Sequence, residues 1–273
     1  MTHKWSLTVT VPPRSDPVDL NDAKAQLKLD ESVTADDDLI TRYIRAAVRR
    51  AERFTGRSLI TQTLEMVLDT FPAAIDLPRP PIRSISSITY VDGDGATQTL
   101  AADQYVLDDN VIRPAFNVTW PTPRNQDRAV TVTYVAGYST AFTVVGDTTA
   151  PVTATGHPYS DDDQVRVWTS GGVSNALPTL LSLDTQYHVV NSVAATTVEL
   201  SATSGGTAIA PTDAGTGTHY IGIFPEEIRF GILLMLGQFY DHRADFVTGT
   251  IASTLPISVE TMLSAYKWTS QDR

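Results

Sequence analysis

The chain has 273 residues, 42% of them hydrophobic, with 31 acidic against 20 basic side chains and a formal charge of −11. That length holds one large domain or two modest ones, and the hydrophobic fraction excludes a disordered chain. The acidity argues against tight binding of free nucleic acid by the molecule as a whole, and the lack of cysteine excludes disulfides and thiolate metal sites and fits folding in a reducing cytoplasm.

The opening MTHKWSLTVTVPPRSDP has no apolar core run and no small-residue cleavage site, so no signal peptide is expected. Residues 19–29 are predicted to form a short helix. Asp19 is its N-cap, Asp22 sits where a capping box places an acid, and Leu20, Ala23 and Leu27 share one face. A long helix follows in ADDDLITRYIRAAVRRAERFTGRSLI, residues 35–60. Thr34 is expected to cap it, with Asp36 and Asp37 against the positive end of the dipole. Ile40, Tyr43, Ile44, Ala47, Ala51 and Phe54 recur at helical spacing, and Gly56 is a stop signal.

From Thr61 to Tyr138 the pattern changes to strands. TLEMVLDTF alternates, SISSITYVDGDGATQTL reads as a hairpin, and QYVLDDNVIRP and AVTVTYVAGY continue the pattern. LPRPPI at 77–82 is an extended breaker. Residues 141–222 are rich in Thr, Ser, Gly and Ala with short β runs, and hold seven acidic side chains against the single Arg166. This segment is expected to be an inserted all-β module, with 1–140 and 223–273 forming a discontinuous host domain. Pro225, Glu226 and Glu227 then open a helix that is apolar almost all round, predicted to be buried. The run at 230–240 is too short to span a bilayer. Gly231 and Gly237 are expected to allow close approach of another element. A last helix carries Val259, Met262, Leu263 and Tyr266 on one face. The fold class is α+β: helical ends packed together, a hairpin-rich segment and a β module between them.

No nucleophile elbow, phosphate loop, dinucleotide fingerprint or paired-histidine metal motif is present. DGDG at 92–95 resembles the start of a calcium loop but lacks its later acids, so a hairpin turn is the expectation. Asp161, Asp162 and Asp163 read as a turn rather than catalytic carboxylates. His157, His188 and His219 read as surface or packing residues. His242 and Asp245 read as a helix-end pair. No catalytic, cofactor or metal residue is assigned, and no enzyme is expected.

The pattern with clear geometric meaning is a basic stripe. Arg42, Arg45, Arg49 and Arg53 recur at three and four residues on one helix face, flanked by Arg50 and Arg57. One reading is a solvated face paired locally with Glu52. The other is a face that meets an acidic neighbour, and in a chain of −11 a second copy is the nearest acidic surface. A head-to-tail ring would place the stripe against the next subunit.

PVDLNDAKAQLKLD, DDDLITRYIRAAVRRAERFTGRSLITQTLEMVLDTFP, LPRPPIRSISSITYVDGDG, VTVTYVAGY, FPEEIRFGILLMLGQFYDHRADFV and LPISVETMLSAYKW, in this order, resemble the head–tail connector (adaptor) proteins of long-tailed bacteriophages. The resemblance covers roughly 17–140 and 223–268. The insert departs from the family pattern and itself resembles a β module that recurs in phage virion proteins. The resemblance implies a structural virion protein at the head–tail junction, made in the host cytoplasm. It implies a homo-oligomeric ring, commonly of twelve copies, beneath the portal protein, which extends the DNA channel and docks a downstream neck or tail-completion protein. DNA would pass without sequence-specific binding, and no cofactor or membrane is implied. Partner contacts fall to Arg42, Arg45, Arg49 and Arg53, and to Tyr266, Lys267 and Trp268 if the C-terminal segment extends onto the portal. The alternative for Trp268 is packing back onto its own helices. The alternative function is a tail or fibre protein whose β module binds a host receptor or a neighbouring virion protein.

Overall fold

The structure is a computed structural model that describes residues 5–13, 16–18, 20–30, 32–144, 152–169, 176–182, 185–193, 196–217, 219–223, 225–241 and 257–269. It is α+β, with four helices and three antiparallel sheets among the described residues.

The helices are α1 (Leu20–Gln26), α2 (Asp37–Thr55), α3 (Glu226–Asp241) and α4 (Ile257–Ser264). Their apolar stripes meet in one core. Ile40, Ile44, Ala47, Val48 and Ala51 of α2 pack with Ile228, Ile232, Met235 and Leu236 of α3, and with Val259 and Leu263 of α4. Polar links fasten the helices to one another. Arg229 pairs with Asp22, buried Lys24 reaches Asp37 at 2.7 Å, and the Tyr240 hydroxyl donates to Asp36 at 2.7 Å. That last bond explains a departure from expectation. The N-cap of α2 is Asp36 rather than Thr34, and its carboxylate makes no cap bond because it serves α3 instead.

The five-stranded sheet runs β1 (Trp5–Val11), β2 (Gln62–Leu68), β8 (Val130–Ala136), β4 (Ile82–Val91), β5 (Thr97–Thr99) in spatial order. Alternation sends Leu64, Met66 and Leu68 of β2, and Val130, Val132 and Tyr134 of β8, to one core face. A small sheet of β3 (Ile75–Asp76), β7 (Val111–Pro114) and β6 (Tyr105–Asp108) adds Ile75, Ile112 and Leu107 to that core. The β4–β5 turn is a side-chain-closed hairpin: Asp92 Oδ1 accepts from the Asp94 and Ala96 N–H groups at 3.0 and 2.9 Å. β1 was not anticipated, although WSLTVTV alternates.

The six-stranded sheet has its own core and the order β10 (Val152–Thr153), β13 (Thr197–Ser201), β12 (Gln186–Val193), β11 (Gln164–Thr169), β14 (His219–Gly222), β9 (Ser139–Phe142). β9 and β14 pair with Ser139 opposite Gly222, so the chain enters and leaves this sheet through neighbouring strands. The entry is tight. Gly137, at φ 139°, lies where a Cβ would come within 2.5 Å of the Thr61 nitrogen. Arg83 of β4 donates to the Gly137 carbonyl at 2.6 Å and to the Tyr138 carbonyl. On the exit side, Arg166 of β11 pairs with Glu226 at 3.1 Å.

Asp161, Asp162, Asp163, His157 and His219 each have a defined contact within this sheet. Asp161 accepts from the Ser192 N–H at 2.7 Å, Asp162 from the Ser204 hydroxyl at 2.7 Å, and Asp163 from the Ser160 N–H at 2.8 Å. Buried His157 accepts at Nδ1 from the Tyr159 N–H at 3.2 Å and stacks on its ring. Buried His219 contacts the Ala214 carbonyl through Nε2 at 2.9 Å and packs on Phe142, with Nδ1 unpaired. His242 and Asp245 lie outside the described residues.

α3 is less buried than its composition suggests, because Phe230 is exposed. Its glycines divide. A Cβ at Gly231 would sit 3.3 Å from Leu263 Cδ2, so α4 crosses there, whereas a Cβ at Gly237 meets nothing within 4 Å. Among the described residues no element makes the close approach expected at Gly237. Gly231→Leu is therefore expected to cost about 1–3 kcal/mol by forcing α4 away. Gly237→Ala is expected to stabilise by up to about 1 kcal/mol from helix propensity. Urea unfolding of both variants checks the contrast.

Burial pushes the His219 pKa down from its ordinary 6.5. The unfolded chain thus binds the proton more readily, and the stability from keeping the ring neutral is present above about pH 6.5 and lost as pH falls. His219→Phe is expected to flatten the dependence of the urea midpoint on pH between about 7.5 and 5.5. An unchanged slope would show that His219 does not contribute to it.

Candidate partner interface

α2 positions the arginines by the same periodicity that builds the core. Its inward residues fix its rotation, and at 100° per residue Arg42, Arg45, Arg49 and Arg53 fall within an arc of roughly 80° on the opposite side. All four are exposed. Gly56, in the left-handed region at φ 68°, closes the helix by donating to the Glu52 carbonyl. Glu52 does not neutralise the stripe by a salt bridge. Its Oε1 accepts from the Leu59 N–H at 2.9 Å and holds the turn after the helix, while burial pushes its pKa up.

The stripe is barely satisfied among the described residues. Arg45 Nε lies 3.6 Å from Asp16, a partly exposed contact worth little in water. Burial raises the Asp16 pKa despite the lowering effect of Arg45 and Arg49. Arg42 and Arg53 make no ion pair among the described residues. Arg50 and Arg57 are half-buried, and Arg57 Nε donates to the Tyr266 carbonyl at 2.6 Å.

That bond joins the two groups of residues singled out from sequence. Tyr266, Lys267 and Trp268 fold back onto the C-terminal end of α2 rather than projecting away. The Trp268 N–H donates to the Thr55 carbonyl at 2.7 Å, satisfying a helix-end acceptor, and its indole packs beside Gly56. Lys267 Nζ lies 5.7 Å from the centre of the Phe54 ring. The Tyr266 hydroxyl donates to Glu227 at 2.7 Å, which pushes its pKa up to about 12 and holds the Glu227 carboxyl below its usual range. In the single chain, then, Trp268 packs on its own helices. Asp16, Glu227 and Thr55 complete the surroundings, and no local sequence signal marks them because each acts across the fold.

The arrangement offers four spaced guanidinium groups on a rigid helix and a folded C-terminal segment at one end of it. Among the described residues, no group of three or more His, Asp or Glu side chains is placed to hold a metal.

Residues 17–91 match the family described as "Phage gp6-like head-tail connector protein". Two solved chains share the fold over almost their whole length. One comes from the "Virion of native gene transfer agent (GTA) particle", with 14% identity, 96% of this chain and 95% of that chain covered, and a TM-score of 0.55. The other comes from the "Neck of empty GTA particle computed with C6 symmetry", with 16% identity, 97% and 96% covered, and a TM-score of 0.53. At such identities the likeness is one of fold. No curated protein matches the chain. The family match over residues 17–91 takes in α1, the arginine helix and the strands that follow, and the likeness over the rest of the chain is one of fold.

Proposed function

We propose that this protein is a structural component of a virion neck, assembling as a homo-oligomeric ring beneath the portal and extending the channel through which DNA passes. The observation that carries the reading is the connector-family match over the arginine helix, joined to a fold likeness that runs through the rest of the chain. One similar chain belongs to a neck computed with C6 symmetry, and twelve copies are compatible with a six-fold axis. A ring needs subunit contacts and a lumen that releases DNA. The charge of −11 suits the second need, since repelled phosphates do not adhere. The exposed arginines suit the first, facing acidic groups on the adjacent copy or on the portal. The role is structural rather than enzymatic, at the head–tail junction. Among the described residues no helix is long and apolar enough to cross a membrane.

Within this reading, residues 141–222 form an inserted module carried by a discontinuous host of 1–140 and 223–273. The separate core of the six-stranded sheet and the neighbouring entry and exit strands support the division, with the first strand of the sheet starting at Ser139. The module's outward face is the natural place for contact with a neck or capsid neighbour.

Mass photometry of the protein alone and with the portal protein of the same particle tests the assembly. A mass step equal to a fixed number of copies on the portal is expected, and no binding across a range of concentrations overturns the connector role. Arg45→Glu with Arg49→Glu should abolish ring or portal assembly while stability stays within about 1 kcal/mol, because both side chains are exposed. Normal assembly of that variant would remove the stripe from the interface. Replacing 143–220 by a short Gly/Ser linker should leave a soluble, cooperatively unfolding host domain, since the ends to be joined lie on paired strands. An unfolded product would show that the host depends on the module.

A further inference from the structure

We infer that β1 is a docking edge, and that its occupant is the β1 strand of a second copy of this chain, paired antiparallel about a two-fold axis near Leu7. β1 ends the five-stranded sheet, and among the described residues the outer side of its backbone has no strand partner. Sheet-ending strands are normally blunted by shortness, charge or proline. The other strands that end sheets in this protein obey that rule, running only two to four residues. β1 is seven residues long, and WSLTVTV contains no charge, glycine or proline.

Its side chains show what the edge lacks. Trp5, Leu7 and Val9 stand opposite Leu68, Met66 and Leu64 of β2, all three buried. They therefore belong to the core face of the sheet. Yet Trp5 is 47% and Val9 39% exposed, since no further strand among the described residues covers them. An irregularity between Val9 and Val11 breaks the alternation, leaving Trp5–Val9 as the regular segment.

That segment is complementary to itself. With the axis through Leu7, Trp5 of one copy faces Val9 of the other, Leu7 faces Leu7, and Ser6 faces Thr8. Every apolar side chain meets an apolar one on the core face, polar meets polar on the other, and no like charges meet. The two sheets become one, and their core faces run on across the axis. Such a contact is isologous and cannot recur between neighbours around a ring. It would join copies that are not neighbours in one ring, and it holds whether or not the connector reading is right.

The absence of cysteine makes the test direct, because an introduced thiol reports alone. Under mild oxidation Leu7→Cys should form covalent dimers in high yield and Val11→Cys should not, since the latter pair would be about eight residues apart along the strands. Thr8→Lys should weaken dimerisation at least tenfold in sedimentation equilibrium with an unchanged melting temperature. Amide exchange over Trp5–Val9 in the unmodified protein should slow as concentration rises, which keeps the test open if Leu7→Cys fails to fold. Concentration-independent exchange, or protection that appears only when portal protein is added, would overturn self-pairing.

Discussion

The contact between α2 and α3 is the constraint on which the rest depends. These helices lie at opposite ends of the sequence, yet Ile40, Ile44 and Ala47 share one core with Ile228, Ile232 and Leu236. Everything between them must leave the helical core and come back to it. The polar links Asp22–Arg229 and Asp36–Tyr240 hold the return in place, and each joins an early element to α3. The rotation of α2 is set by this packing, so its arginines have no choice but to face outward.

The way the chain leaves and returns is equally determined. Gly137 allows the backbone to press against Thr61, and Arg83 fixes the carbonyls of Gly137 and Tyr138. The pairing of β9 with β14 brings the two crossing points side by side, and Arg166 reaches Glu226 at the start of α3. Arg166, the lone basic residue of an acidic segment, is spent on the junction. The six-stranded sheet is thus held by specific bonds on both strands of the connection, a geometry suited to presenting a surface in a set direction. The same economy appears at the end of α2, where Arg57, Tyr266 and Trp268 close the helix with groups from the far end of the chain.

Much of this was legible in the sequence because it follows from local periodicity. The helical spacing from Ile40 to Phe54, the stop at Gly56, the hairpin around Asp92 and the acids that open α3 each depend on neighbours a few residues away. What was missed depends on distant partners. Thr34 looked the better cap until Tyr240 claimed Asp36. Gly231 and Gly237 are alike in sequence, but only Gly231 lies under Leu263. β1 alternates well enough to be found, yet its meaning comes from being the last strand of its sheet.

The sequence by itself determined the α+β class, the amphipathic rotation of α2 and so the arginine face, since the spacing of side chains along a helix is fixed by its pitch. The resemblance to connector proteins, which covers roughly 17–140 and 223–268, includes that helix. Only the tertiary structure decided which of those arginines stay unpaired, where Tyr266, Lys267 and Trp268 rest, and which sheet edge is left open. Those outcomes arise from contacts between residues far apart along the chain, and no local pattern encodes which distant group will arrive.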